Sequence, residues 1–153
     1  MRTGRKTLVF GPFQVGPDHM QAPATSAETV IFAEDDAALR DALRFSLETD
    51  GFQVMTCDTG EALLSLSLPR QSACLMVDVH LGQGMTGLQA LDALRERGVE
   101  LPAIVVTTDA KPAMRTEAAR LHAMVLEKPF LGDSLFGAIR SALVSQPQVL
   151  TSN

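Results

Sequence analysis

The sequence lacks the features that mark secreted, membrane-spanning and nucleic-acid-binding proteins. It contains only two cysteines in 153 residues, too few for a disulfide framework and typical of a reducing compartment. No apolar run approaches the ~18 residues that a membrane-spanning helix needs, and the apolar residues near the N-terminus form no signal-peptide core. The formal net charge of −5 argues against a broad nucleic-acid surface. We therefore expect a cytoplasmic protein without membrane contacts and without direct nucleic-acid contacts.

The composition divides the chain into a tail, one domain and a short second tail. In residues 1–27 the apolar segments are separated by glycine and proline, which predicts a flexible tail. The alternative is that TLVF (7–10) and FQV (13–15) dock on a neighbouring surface or on a second subunit. We expect the globular domain at 28–145 and the second tail at 146–153.

Within the domain, short apolar runs alternate with helical patterns. Five runs predict strands: TVIFA, FQVMTC, ACLMVD, PAIVVTT and AMVLE. The segments between and after them repeat leucines at helical spacing, such as Leu39, Leu43 and Leu47. Strands that alternate with helices predict an α/β fold, a doubly wound five-stranded parallel sheet with helices on both faces.

Local signals predict where two of the helices begin and end. Asp36 stands where a cap of the first helix is expected. Asp58 and Glu61 have the spacing of a capping pair, which predicts a second helix over 58–68 that Pro69 ends.

Charged and hydroxyl side chains follow four of the five predicted strands. Because ligands of such sheets bind beyond the carboxyl ends of the strands, we expect these side chains to meet in one crevice. Crowded carboxylates require a counter-charge, and Mg²⁺ prefers oxygen ligands. A carboxylate can also attack a phosphoryl group. The residues therefore suggest Asp78 as nucleophile, Glu34 and Asp35 as cation ligands, and Thr107 and Lys128 as partners of the phosphoryl oxygens.

Four motifs in this order resemble the receiver domain of two-component response regulators. They are VIFAEDDAALRDAL, ACLMVDVHL, PAIVVTT and LEKPF, and the resemblance runs from about residue 29 to residue 144. It implies the flavodoxin-like (βα)5 fold, a phospho-acceptor at Asp78, and a histidine kinase or histidine phosphotransfer protein as donor. It also implies Thr107 as switch hydroxyl and Lys128 as the site lysine. The implied Mg²⁺ ligands are Glu34, Asp35, Asp78 and the backbone carbonyl of His80.

The resemblance implies a regulatory protein that dephosphorylates itself slowly and is not an enzyme with turnover. No further domain is recognisable after Val144, so we expect a stand-alone receiver that acts on a downstream protein partner and is compatible with a homodimer. Three alternatives remain open. The chain could be a receiver fragment of a hybrid histidine kinase or transcription factor. It could be an aspartyl-phosphate phosphohydrolase, although such enzymes carry an acid where His80 stands. It could also be a binding module that works without phosphorylation.

Several positions depart from the usual receiver pattern. Glu34 stands in place of aspartate, Gly82 in place of proline, and the loop that ends at Gly87 is one residue longer than the commonest form. Thr108 is bulkier than the usual residue, and we expect it to narrow the access of a water molecule that would attack the phosphorylated site. Val125 replaces the switch aromatic, and Leu121-His122 replaces Gly-Ala; we expect both changes to affect signalling rather than phosphorylation.

The glycines of this loop also match another motif. Gly82, Gly84 and Gly87 have the spacing of a dinucleotide-binding loop. That reading leaves the acids and the lysine without roles, and three residues separate Asp78 from Gly82. We therefore interpret the glycines as shaping a loop and a helix start.

Overall fold

Five strands and five helices alternate along the part of the chain that the computed structural model describes, residues 27–130 and 132–145. The predicted tails 1–27 and 146–153 lie outside the described residues, apart from Ala27, and so do both candidate docking segments. The elements are β1 (Thr29–Ala33), α1 (Ala37–Thr49), β2 (Gln53–Cys57), α2 (Gly60–Ser65), β3 (Ala73–Asp78), α3 (Gly87–Glu96), β4 (Ala103–Thr107), α4 (Pro112–Arg120), β5 (Ala123–Glu127) and α5 (Gly132–Val144).

The five strands form one parallel sheet with the order β2-β1-β3-β4-β5. The predicted doubly wound fold is therefore confirmed. Since all strands run in the same direction, their carboxyl ends lie at one edge of the sheet. Of the helices in the described residues, none is long and apolar enough to cross a membrane.

Alternating side chains divide the core into two clusters, one on each face of the sheet. On β1, Ile31 and Ala33 join the cluster that is covered by α2, α3 and α4. Val30 and Phe32 join the cluster that is covered by α1 and α5. A strand buried on both faces needs apolar residues at every position, which explains why the central strands read as continuous apolar runs.

Of the two predicted helix caps, the structure confirms the one on α1 and contradicts the one on α2. The Asp36 cap is confirmed, since its Oδ1 accepts the backbone N–H of Leu39 at 3.1 Å. The predicted Asp58–Glu61 pair is wrong. Thr59 caps α2 through its hydroxyl, and Glu61 instead accepts the backbone N–H of Met85 at 3.1 Å. Both Thr and Asp can cap, and the loop beside α2 supplied Glu61 with another donor.

The second helix is also shorter than predicted, because α2 ends at Ser65 and not at residue 68. The backbone of Leu66 is extended, with φ −75° and ψ 147°. From this extended segment, Leu66 and Leu68 pack against the core on the α2–α4 face. Pro69 also biases the residue before it away from helical backbone. Packing of alternate leucines, rather than a helical stripe, therefore determines this segment.

The Leu121-His122 departure is accommodated at the end of α4. Leu121 is buried in the core, whereas His122 has a φ of 57°, the left-handed region that glycine adopts most easily. The side chain of Leu121 thus adds apolar burial, and His122 supplies the turn into β5.

Gly87 is the first residue of α3 and lies directly against the end of β3. Its N–H donates to the carbonyl of Val79 at 2.9 Å. A Cβ at this position would overlap the carbonyl oxygen of Asp78 and would lie 2.8 Å from Cγ1 of Val77. Only glycine therefore permits α3 to approach the strand this closely.

We predict that Gly87→Ala lowers the free energy of unfolding by about 1–3 kcal/mol, because backbone atoms must move to accept the methyl group. The control is Gly137→Ala in α5, where the added methyl group meets nothing within 4 Å. The control should raise the free energy of unfolding by up to about 1 kcal/mol. Urea unfolding followed by circular dichroism measures both. Equal stability of the two variants would contradict the close-approach argument.

Candidate functional site

The predicted polar residues lie together at the carboxyl edge of the sheet. Glu34 directly follows β1, while Asp78 ends β3 and Thr107 ends β4. These three side chains belong to buried residues, with exposed fractions of 2%, 5% and 1%. A buried polar group requires partners, so the hydrogen bonds of these residues define the site.

Lys128 joins two of the acids across the sheet. Its Nζ donates to Oε1 of Glu34 at 3.1 Å and to Oδ2 of Asp78 at 2.5 Å. The three groups come from the ends of β1, β3 and β5, which are far apart in sequence. The fold thus assembles two carboxylates and one ammonium group into a single cluster.

The cluster carries more negative than positive charge. The pKa of Glu34 is raised to about 7, chiefly by burial and also by the neighbouring Asp78, while the N–H of Asp36 and the ammonium of Lys128 oppose the rise. Burial alone would lower the pKa of Lys128, but its hydrogen bonds to Asp78 and Glu34 outweigh burial and raise the pKa. The lysine therefore stays charged and neutralises only part of the site.

Backbone groups and one arginine fix the orientation of the two acids. Oδ1 of Asp78 accepts the N–H of His80 at 2.9 Å, and Oε2 of Glu34 accepts the N–H of Asp36 at 3.0 Å. Nη1 of Arg40 donates to the carbonyl of Glu34 at 2.8 Å. With Lys128 on Oδ2, both carboxylate oxygens of Asp78 are held.

Asp35 differs from the other acids because it is exposed. Its Oδ2 lies 3.4 Å from the position that a Cβ of Gly82 would take, so it faces the loop between β3 and α3. The carboxylate of Glu61, in α2, lies against Gly84 and Met85 of the same loop. A pyrophosphate on these glycines would meet two carboxylates, which disfavours the dinucleotide interpretation.

Thr107 lies at the same edge, but its hydroxyl is engaged elsewhere. Oγ1 accepts the N–H of Asp109 at 3.2 Å and lies 3.4 Å from the carbonyl oxygen of Asp109. Within the described residues, no hydrogen bond joins this hydroxyl to Asp78. The structure therefore brings Glu34, Asp78 and Lys128 into contact, with Asp35 beside the loop and Thr107 turned to its own loop.

The donor atoms of the site suit a hard cation. The predicted ligands are the carboxylates of Glu34, Asp35 and Asp78 and the carbonyl of His80, all oxygen atoms of the kind that Mg²⁺ prefers. Among the residues described here, no three acidic, histidine or cysteine side chains lie close enough together to hold a metal ion. Lys128 occupies the space between the two buried acids. Burial disfavours the charged form of Glu34, and a further cation would stabilise that form, so the residues fit Mg²⁺ chemically.

Sequence reasoning missed two residues that support the site. Arg40 holds the backbone of Glu34, and Glu61 holds the loop after Asp78. The contact of Arg40 could have been predicted from its position four residues after the helix cap Asp36. A long side chain there can extend back past the helix start to the carbonyl of Glu34. Nothing in the sequence signalled the contact of Glu61, because it depends on the path of a loop 24 residues away.

Comparison with known proteins identifies the family of the chain. The response regulator receiver domain matches residues 30–140 of this chain. The chain is similar to the transcriptional regulatory protein TdiR of Thauera aromatica, with 32% identity over 126 residues, 81% of this chain and 55% of TdiR. It is also similar to the transcriptional regulatory protein FixJ of Azorhizobium caulinodans, with 34% identity over 111 residues, 72% of this chain and 52% of FixJ. The chain spans about half the length of these curated relatives.

A solved structure described as FixJ-N has the same fold. It superposes with a TM-score of 0.71 at 27% identity, and the match covers 80% of this chain and 98% of FixJ-N. The family match covers more than half of the chain and includes every predicted site residue. On these grounds, the chain belongs to the family of response regulator receiver domains.

Proposed function

We propose that Asp78 accepts a phosphoryl group from a phosphohistidine on a histidine kinase or a histidine phosphotransfer protein. The observation that carries this proposal is the buried Asp78 carboxylate, whose two oxygens are held by Lys128 and by the N–H of His80. A fixed and partly neutralised carboxylate at the carboxyl edge of the sheet is suited to attack on phosphorus.

In the proposed reaction, a carboxylate oxygen of Asp78 forms a bond to phosphorus while the bond from phosphorus to the donor imidazole nitrogen breaks. The product is an acyl phosphate, and the electron pair of the broken bond stays on the imidazole. Lys128 already contacts Oδ2 of Asp78, so its ammonium can pair with a phosphoryl oxygen that replaces this contact. The hydroxyl of Thr107 is the second group proposed to bind a phosphoryl oxygen.

Mg²⁺ is the proposed cofactor, and it supplies positive charge for the phosphoryl oxygens when bound. Glu34, Asp35, Asp78 and the carbonyl of His80 are the residues that would hold it. Glu34 is the ligand that a cation would affect most, because burial beside Asp78 disfavours its charged form although Lys128 is in contact.

The family is regulatory, and we propose a regulatory role for this chain, with slow loss of the phosphoryl group. Thr108, exposed beside Thr107, is proposed to narrow the approach of water. We place the protein in the cytoplasm, in line with its two free, buried cysteines. TdiR and FixJ are named transcriptional regulatory proteins, but both are longer than this chain. For this domain we propose output through a protein partner and not through direct nucleic-acid contacts; a homodimer stays a prediction.

We predict that Asp78→Asn abolishes phosphorylation by acetyl phosphate in the presence of Mg²⁺, because an amide cannot serve as the nucleophile. The control is Asp58→Asn, which changes an exposed aspartate just after β2 at the same edge of the sheet. Intact-protein mass spectrometry should detect one added phosphoryl group in the wild type and the control, and none in Asp78→Asn. An equal mass gain in all three proteins would exclude Asp78 as the acceptor.

We predict that Asp35→Ala weakens Mg²⁺ binding by roughly tenfold or more, because a ligand and its charge are both removed. Asp36→Asn is the matched control, since it also removes one negative charge but keeps a capping side chain for α1. Isothermal titration calorimetry gives both affinities. If the two variants bind Mg²⁺ equally well, the proposed ligand role of Asp35 is wrong.

We predict small amide chemical-shift changes around Val125 when beryllofluoride with Mg²⁺ mimics the phosphorylated state. Val125 is half-buried against the core, and a β-branched side chain has few rotamers and no long lever. The large amide shifts should lie near Asp78, Thr107 and residues 108–111. Two-dimensional NMR with and without beryllofluoride measures them, and equally large shifts along 123–126 and α5 would refute the argument from Val125.

A further inference from the structure

The loop that follows Thr107 is bound to the end of the neighbouring strand. Thr107 and Glu127 are register partners at the ends of β4 and β5, and the N–H of Lys128 donates to the carbonyl of Thr107 at 2.7 Å. Because β5 is an edge strand, Glu127 lies on the open side of Thr107. Its half-exposed side chain is free to reach the loop of residues 108–111.

An ion pair holds both backbone polar groups of Ala110 in this loop. Oε2 of Glu127 accepts the N–H of Ala110 at 3.2 Å, and Nε of Arg115 donates to the carbonyl of Ala110 at 3.2 Å. Nη2 of Arg115 lies 3.7 Å from Oε1 of Glu127, which closes the arrangement. We name this group, Glu127 with Arg115 around Ala110, the loop clamp.

The loop clamp lies next to the residue that engages the Thr107 hydroxyl. Asp109, which immediately precedes Ala110, donates its N–H to Oγ1 of Thr107 at 3.2 Å, and its carbonyl oxygen lies 3.4 Å from the same oxygen. The N–H of Lys111 also donates to this carbonyl at 3.1 Å. Fixing Ala110 therefore fixes the peptide group between Asp109 and Ala110, whose carbonyl oxygen lies against the hydroxyl, and so restrains the adjoining N–H of Asp109.

We propose that Glu127 and Arg115 are positioning residues that keep the Thr107 hydroxyl on the loop and thereby oppose its movement toward a phosphoryl group on Asp78. This inference rests on the proposed function, because it assigns the clamp to a step of that reaction. Neither residue touches the reacting atoms, and both act through the backbone of residues 109 and 110.

The exposure of the clamp limits the size of its effect. The side chains of Arg115 and Glu127 are 52% and 53% exposed, and ion pairs between exposed groups contribute little on their own. The hydrogen bonds to Ala110 contribute more, since each has a charged partner. We therefore expect the clamp to favour the observed loop position without making it permanent. Removing the clamp should change the equilibrium constant for movement of the Thr107 hydroxyl toward Asp78 by roughly three- to tenfold.

The test is the affinity for beryllofluoride at saturating Mg²⁺. The sequence contains no Trp and no Tyr, so fluorine NMR of the bound ion is the suitable signal. We expect Glu127→Ala and Arg115→Ala each to bind beryllofluoride roughly three- to tenfold more tightly than the wild type. The double variant should gain little more than the stronger single variant, because both changes release the same peptide group. Glu127→Gln keeps an acceptor for Ala110 and should show a smaller gain.

Two further variants separate positioning from a general structural effect. Glu117→Ala removes an ion pair with Arg120 on the same helix, with a contact of 2.6 Å that does not touch the loop, and should leave the affinity unchanged. In a Thr107→Ala background, Glu127→Ala should give no gain, because the hydroxyl through which the clamp acts is absent.

Each outcome decides between the two proposals. If the wild type binds beryllofluoride and the clamp variants bind it equally or more weakly, the clamp inference fails and the proposed function stands. If the gain persists without the Thr107 hydroxyl, the clamp does not act through Thr107 and the inference also fails. If the wild type does not bind beryllofluoride at all, the proposed function itself fails.

Discussion

The site depends on one contact, the ammonium of Lys128 between the carboxylates of Glu34 and Asp78. Two buried acids at neighbouring strand ends are strongly unfavourable without a counter-charge, and here the counter-charge comes from the far side of the sheet. β1 and β3 are adjacent, whereas β5 is separated from β3 by β4. In this strand order the long side chain of Lys128 passes the end of β4 to reach both acids.

The same contact neutralises only part of the negative charge that the site can carry. One lysine faces two buried acids, and burial together with the neighbouring Asp78 raises the pKa of Glu34. Any further positive charge would stabilise the charged form of Glu34. A phosphoryl group that accepted the hydrogen bonds of Lys128 would leave Glu34 without this partner. Under the proposed function, a divalent cation and an incoming phosphoryl group would therefore favour each other's binding through electrostatics.

How far the sequence predicted the structure depends on how local each determinant is. β1, β3 and β5 have the predicted bounds because their apolar runs report burial directly. The residues at the strand ends were predictable from topology, since parallel strands present their carboxyl ends at one edge. The cap and the end of α2 were predicted wrongly, because packing of Leu66 and Leu68 and the loop contact of Glu61 determine them. The engagement of the Thr107 hydroxyl with Asp109 could not be predicted, since it depends on the backbone path of a loop.

The close contact of Gly87 with β3 has a consequence for changes in length of the segment between β3 and α3. The hydrogen bond between Gly87 and Val79 joins the two ends of the segment 80–86, so the start of α3 is fixed independently of the residues in between. Lengthening a closed segment of this size by one residue changes its closure entropy by only about 0.1 kcal/mol. We therefore expect an additional residue to extend the loop outward, toward Asp35 and Glu61, with β3 and α3 left in place. Insertions in this segment should thus alter what approaches the acceptor without altering the acceptor itself.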